Sequence, residues 1–275
     1  MIIFLPPYPF HKQDSGYLLP SLICSGLLFV VVVMFSLLPD KRPPLTQTKL
    51  HWSCKGLLNK ITSPFTDNPP KTRRLMKLAA CAFFVAITMR MGIDKVRDLY
   101  LMNLPFCLDS TLIGWFMMAR NLGAHLFTLF SVATLSRCLH GMGLGILGMC
   151  SSFGGYLMYG FAQTRLEVFM VPAISVAQHL PITVMRGETS RLLGPEQQGP
   201  LFASLAVIES VCFTLGPVIF LPIYKNTQTF PTGTGTPFLC ALVFVIVVLV
   251  IMIAYQVTWV KHRKELSYRI LKVNK

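Results

Sequence analysis

Arg90, Arg120, His125, His179 and Glu209 are ionisable side chains set in stretches that are otherwise apolar. A charge at the centre of an apolar, lipid-immersed helix costs ~2.5–3.5 kcal/mol on insertion scales, so each needs a partner or a polar cavity. Arg120 is near the middle of the stretch 110–136, with His125 five residues on, and Glu209 is nine positions into the stretch 201–224. A buried Arg120–Glu209 ion pair, or exposure of either residue to a polar cavity, would relieve the cost. Arg90 lies three residues before the end of the stretch 75–93, where it either snorkels to an interface or presents charge inward. Gln178 and His179 interrupt the stretch 166–185 and are followed by Pro181. His179 either titrates near neutral pH or is a hydrogen-bonded core residue. Asp109-Ser110 opens the stretch 110–136, where both side-chain types cap a first helical turn. These residues suit either the lining of a polar cavity or structural ion pairs between helices. No Ser/His/Asp arrangement, phosphate loop or ligand cluster is present in the sequence, so neither catalysis, a cofactor nor a metal is expected.

The elements that position these residues follow from hydropathy. Hydrophobic residues make up 53% of the 275 and charged ones 13%, with a mean hydropathy of +0.58. About 20 apolar residues cross a bilayer core as a helix, and lipid leaves backbone amides no other partner. The sequence predicts an all-α, polytopic membrane protein with seven transmembrane helices over 17–38, 75–93, 110–136, 140–164, 166–185, 201–224 and 237–260. The net charge of +14 is unevenly spread: nine basic residues between Lys41 and Lys77, six from Lys261 onward, and Arg137, Arg186 and Arg191 put 18 of 25 on one side. The positive-inside rule then places the N-terminus outside and the C-terminus in the cytosol. That distribution argues against nucleic acid and for a membrane, with anionic lipid as a secondary contact.

Five segments result: an outer segment 1–16, a first helix 17–38, a basic cytosolic linker 39–74 punctuated by prolines, a six-helix bundle 75–260, and a basic cytosolic tail 261–275. Met1–Leu5 is too short for a signal-peptide core, and the first helix is expected to act as an uncleaved insertion signal. The cysteines show no pairing framework or metal spacing and are expected to be buried small apolar residues. Gly141 and Gly145, with Gly148, Gly154 and Gly155 beyond, predict a close helix–helix face.

Seven spans with this orientation would also suit a G-protein-coupled receptor, but the chain lacks Asp-Arg-Tyr after span three and Asn-Pro-x-x-Tyr in span seven. The run from Leu99-Tyr100 through Pro105-Phe-Cys-Leu-Asp109-Ser110 to Ile113-Gly-Trp115 closely resembles the start of the eighth helix in the proton-coupled folate transporter family, solute carrier family 46. Arg186, then Ser190-Arg-Leu-Leu, then Glu196-Gln-Gln-Gly-Pro-Leu-Phe202 is similar to that family's loop between helices ten and eleven. Ile223-Tyr224, Phe230-Pro231 and Pro237-Phe-Leu echo its ending, so the resemblance covers about residues 75–260.

The resemblance implies a major facilitator fold, with this chain corresponding to the C-terminal six-helix bundle and one preceding helix. It implies a carrier, proton-coupled or facilitative, that moves a small organic anion such as a folate-like or conjugated compound by alternating access in the plasma or lysosomal membrane. Arg186 matches an arginine linked there to proton and substrate binding, and Asp109 and Ser110 match the mouth of helix eight. Arg90 departs from the family, which has a proton-coupling histidine at that place, and a guanidinium does not release a proton near neutral pH. Arg90, Asp109, Ser110, Arg120, His125 and His179 are therefore expected in a substrate cavity, and Arg186 and Glu209 in coupling or gating. The first five helices of the family pattern have no counterpart in this sequence. The chain is read as a fragment, an isoform or a half that pairs with a second half-bundle or a full-length carrier. The alternative is a non-transporting protein that binds or regulates such a carrier.

Overall fold

The computed structural model describes residues 18–37, 54–103, 105–135, 139, 141–228 and 235–273. Residues 1–51 and 52–275 form separate units. In the first, α1 (Leu18–Leu37) is a 20-residue helix without a charged side chain. At 1.5 Å per residue it reaches about 30 Å, the thickness of a hydrocarbon core. The expected outer segment 1–16 lies outside the described residues.

The second unit contains α2 (Cys54–Thr66), α3 (Pro70–Met102), α4 (Ser110–Thr134), α5 (Met142–Phe161), α6 (Arg165–Ile174), α7 (Leu180–Arg191), α8 (Pro195–Thr227) and α9 (Thr236–Val273). Every regular element among the described residues is a helix. Local chemistry sets the boundaries. Pro70 and Pro195 occupy the first turns of α3 and α8, where a missing N–H costs nothing. Asp109 caps α4 by accepting from the Thr111 amide, and Thr164 with Glu167 forms a reciprocal capping box on α6. Four stretches are long and apolar enough to cross a membrane: 70–102, 142–161, 195–227 and 236–261. The chain is a multi-pass integral membrane protein.

α3 is the central element, packing against α8, α9 and α7, while α5 packs against α9, α7 and α6. Phe83, Tyr100, Phe116, Phe220, Phe238 and Tyr255 fill the interior between them. Glycine permits the two closest approaches. At Gly92 a Cβ would lie 2.6 Å from the Gly216 carbonyl oxygen, so α3 and α8 meet backbone to backbone. At Gly148 it would lie 2.7 Å from the Ala177 carbonyl oxygen, which lets α5 press against the segment joining α6 and α7. The glycine face expected in span four is thus a packing face.

The structure adds detail to the sequence reading at several places. The linker is not irregular throughout: α2 occupies 54–66 and docks on α8, where the Ser204 hydroxyl donates to the Ile61 carbonyl. The second span does not stop at 93 but runs to Met102, because the charges from Asp94 to Asp98 are largely paired within the protein. The fifth span is two helices separated by a turn at Ser175–His179, bracketed by Pro172 inside α6 and Pro181 in the first turn of α7. The tail is helical, since α9 continues past Lys261 to Val273. The cysteines also divide: Cys212 is buried and Cys240 half-buried, but Cys81, Cys107 and Cys150 are exposed. Their helix positions or loop face away from the interior.

Candidate functional site

On α3, Arg90, Asp94 and Arg97 recur at i, i+4 and i+7, which places them on one face of the helix. That face meets Arg120 from α4. Asp94 is the hub of the cluster. Its Oδ1 lies 2.6 Å from Arg97 Nη1 and 3.4 Å from Arg120 Nη2, and its Oδ2 lies 3.8 Å from Arg90 Nε. Arg97 and Arg120 are each 4% exposed, and Asp94 is 30% exposed. A second acid, Asp98, stands 3.9 Å from Arg97 on the more exposed side. Three guanidiniums against two carboxylates leave one positive charge in excess.

The turn between α6 and α7 supplies the other half of the site. Arg120 Nη2 donates to Gln178 Oε1 at 2.6 Å, and Arg90 Nη2 is 3.2 Å from His179 Nε2. Arginine only donates, so the facing ring nitrogen accepts and His179 is neutral in this arrangement. His125 stacks on His179 with ring centroids 4.4 Å apart and planes 16° apart. A helix break is tolerated at this depth only where neighbouring groups satisfy the freed backbone or a cavity adjoins it. Here a small cavity of about 20 Å³ touches Arg90, Tyr156, Gln178 and Pro181. Arg97 Nε, Arg120 Nε and Gln178 Nε2 are buried donors without an acceptor among the described residues. Surplus positive charge and unpaired donors together describe a place that accepts an anionic oxygen.

A second polar contact joins α7 and α8. Arg186 forms an ion pair with Glu209, and its guanidinium lies 5.6 Å from the Phe83 ring centroid. Arg186 is 41% and Glu209 33% exposed, so the guanidinium of this pair is accessible where Arg97 and Arg120 of the first cluster are buried.

The structure therefore regroups the residues expected from sequence. Arg90, Arg120, His125 and His179 come together, and of the four only Arg90 lines the small cavity. The Arg120–Glu209 pair does not form: Arg120 binds Asp94 and Gln178, and Glu209 binds Arg186. Arg90 is twelve residues from the end of α3 and does not snorkel to an interface. Asp109 and Ser110 stay outside the cluster, exposed, with Asp109 serving as the helix cap. Asp94 and Arg97 are functional candidates that the sequence reading missed, and Gln178 was noticed only as a polar interruption. The signal for the first two was their helical spacing from Arg90.

No family model matches the chain. Its curated relatives include the proton-coupled folate transporter of Rattus norvegicus, 28% identical over 184 residues that cover 66% of this chain and 39% of that protein. The lysosomal proton-coupled steroid conjugate and bile acid symporter of Gallus gallus is 29% identical over 175 residues, covering 62% of this chain and 36% of the relative. Its Homo sapiens counterpart is 23% identical over 232 residues, covering 80% and 50%. These relatives are members of solute carrier family 46, the family whose motifs this sequence resembles. The chain spans half or less of their length, which fits its resemblance to the C-terminal half. The proteins this chain is similar to are membrane transporters.

Proposed function

We propose that this chain forms one half of an alternating-access carrier for a small organic anion, with the Arg90–Arg120–Gln178–His179 cluster as its contribution to the substrate site. The observation that carries the reading is the surplus guanidinium charge gathered at a helix break. Discontinuous helices place polar groups at mid-membrane in transporters, where substrates bind between two repeats. On this reading the second unit corresponds to a six-helix bundle of a major facilitator fold, α1 to the helix before it, and residues 39–74 to the central cytosolic loop. α7 and its Arg186–Glu209 pair stand nearer the cytosolic end and act as a gate. Folates, steroid conjugates and bile acids, named for the relatives, share one property: an anionic group on an apolar body. A compound of that kind, moved with a proton across the plasma or lysosomal membrane, is the proposed substrate. A second bundle, from another chain or a longer one, completes the cavity.

Uptake of labelled folic acid, estrone sulfate and taurocholate at several pH values in cells expressing the chain tests this directly. Uptake of one of them that Arg120→Leu abolishes at equal surface abundance supports the reading. Equal uptake by wild type and Arg120→Leu removes the cluster from the pathway. Co-purification of a full-length carrier without any uptake of its own would favour the regulatory alternative.

A further inference from the structure

We infer that Asp94 is an internal anion that competes with the substrate for the same arginines and takes up a proton when it is displaced, so that anion binding and proton binding are one linked event. This rests on the carrier reading above and names its proton site. The geometry is that of an occupied site: one carboxylate spans three guanidiniums, Oδ1 serving Arg97 and Arg120 and Oδ2 facing Arg90. Arg120 is simultaneously bound to Gln178, and Arg90 to His179, so the two cations that reach toward the helix break are the ones Asp94 shares. Arg97 is not shared with the break; its contacts are Asp94 and Asp98, and it tethers Asp94 to α3.

An anionic group that takes Arg90 and Arg120 places a second negative charge beside Asp94 and removes two of its three counter-charges. A carboxylate next to a like charge binds a proton more readily. Protonation in turn releases both arginines toward the anion. Linkage makes the effect reciprocal: if the anion promotes protonation, protonation strengthens anion binding by the same factor. The sign follows. Anion affinity rises as pH falls, by at most about tenfold per pH unit within the titration window. Coupling of this form needs no histidine at position 90, where a guanidinium stands.

The other groups near Asp94 do not offer the same exchange. On α3 itself, Asp98 lies on the exposed side of Arg97. From α4 comes His125, which stacks on His179. His179 at the break already accepts from Arg90, and a proton there would set two cations against each other. From α5 come Tyr156, beside the small cavity, and Tyr159, whose carbonyl accepts from Tyr100. From α7 and α8 come Arg186 and Glu209, paired with one another, and Tyr224, which bonds Asn103 and the Leu99 carbonyl. On α9 the ionisable Tyr255 is fully buried in the apolar core.

The test uses the full chain in lipid nanodiscs and benzenesulfonate, an anion whose own charge does not titrate. Calorimetric titration in two buffers of different ionisation heat gives the protons taken up per anion bound. Wild type should take up to about one proton per anion, and infrared difference spectra should show a protonated-carboxyl band appearing on binding. Asp94→Asn should bind benzenesulfonate with no proton uptake and without that band, and Asp94→Glu should restore uptake with the band displaced. Binding by wild type with no proton uptake, or uptake without a carboxyl band, overturns the inference while leaving the anion-site reading intact. No binding by wild type at any pH overturns both. Should Asp94→Asn fail to fold, the wild-type infrared band alone decides whether a carboxyl group is the acceptor.

Discussion

Among the described residues two charged contacts join helices, and they differ in balance. The Asp94 cluster has more guanidinium than carboxylate, buries Arg97 and Arg120, and draws on α3, α4 and the α6–α7 break. The Arg186–Glu209 pair is one cation against one anion, more accessible, and joins only α7 and α8. A balanced pair carries no surplus charge, although Arg186 Nε is itself a buried donor without an acceptor among the described residues, and it can serve as a latch between two elements. An unbalanced cluster carries a surplus positive charge, which under the proposed function a substrate oxygen would neutralise.

The largest effect that would break this comparison belongs to Arg120. Arg120→Leu should lower anion binding by about 30- to 5000-fold, the range for losing one member of a buried hydrogen-bonded charge pair. Arg186→Leu should change binding only a few-fold and act on turnover instead. Equal losses of affinity in both would remove the distinction between site and latch.

Next in size is the packing that holds the break in place. Gly148→Ala puts a methyl group against the Ala177 carbonyl, one residue before Gln178, and should destabilise the protein by about 1–3 kcal/mol in thermal unfolding. Gly187→Ala, beside Arg186 and with nothing within 4 Å of the added carbon, should leave the melting curve unchanged. A third experiment exchanges the latch charges. Arg186→Glu with Glu209→Arg in one molecule should recover turnover lost in either single variant, with a coupling energy of no more than about 1 kcal/mol for so accessible a pair. The smallest effect is on reactivity alone. A membrane-impermeant maleimide should label exposed Cys107 without loss of function and leave buried Cys212 unmodified.

Much of this was legible in the sequence because lipid restricts the chain so severely. The helices around Arg120 and Glu209, the cap at Asp109 and the glycine face of α5 all follow from residue type and spacing. What could not be read was rotational phase, the direction each side chain points around its helix axis. Arg120 and Glu209 were opposite in charge and suitably deep, yet α4 and α8 direct them to different neighbours. Asp94 was missed for a related reason. A run of charges from Asp94 to Asp98 reads as a water-exposed joint unless the partner of each charge is known. Here Arg97 and Arg120 neutralise it within the protein, and the helix continues. The break at Ser175–His179 left a clearer trace, since Pro172, Gln178, His179 and Pro181 all fall within ten residues.

The contact of Gly92 with Gly216 has a mechanical consequence. With no Cβ between the two backbones, α8 can tilt on α3 about that point with only the adjoining Phe220 ring having to follow, and Pro217 beside it already forgoes one hydrogen bond of the α8 ladder. Glu209 lies seven residues away, a lever arm of about 10 Å. A tilt of about ten degrees moves its carboxylate by about 2 Å at that radius, enough to part it from Arg186, while the bearing itself stays still.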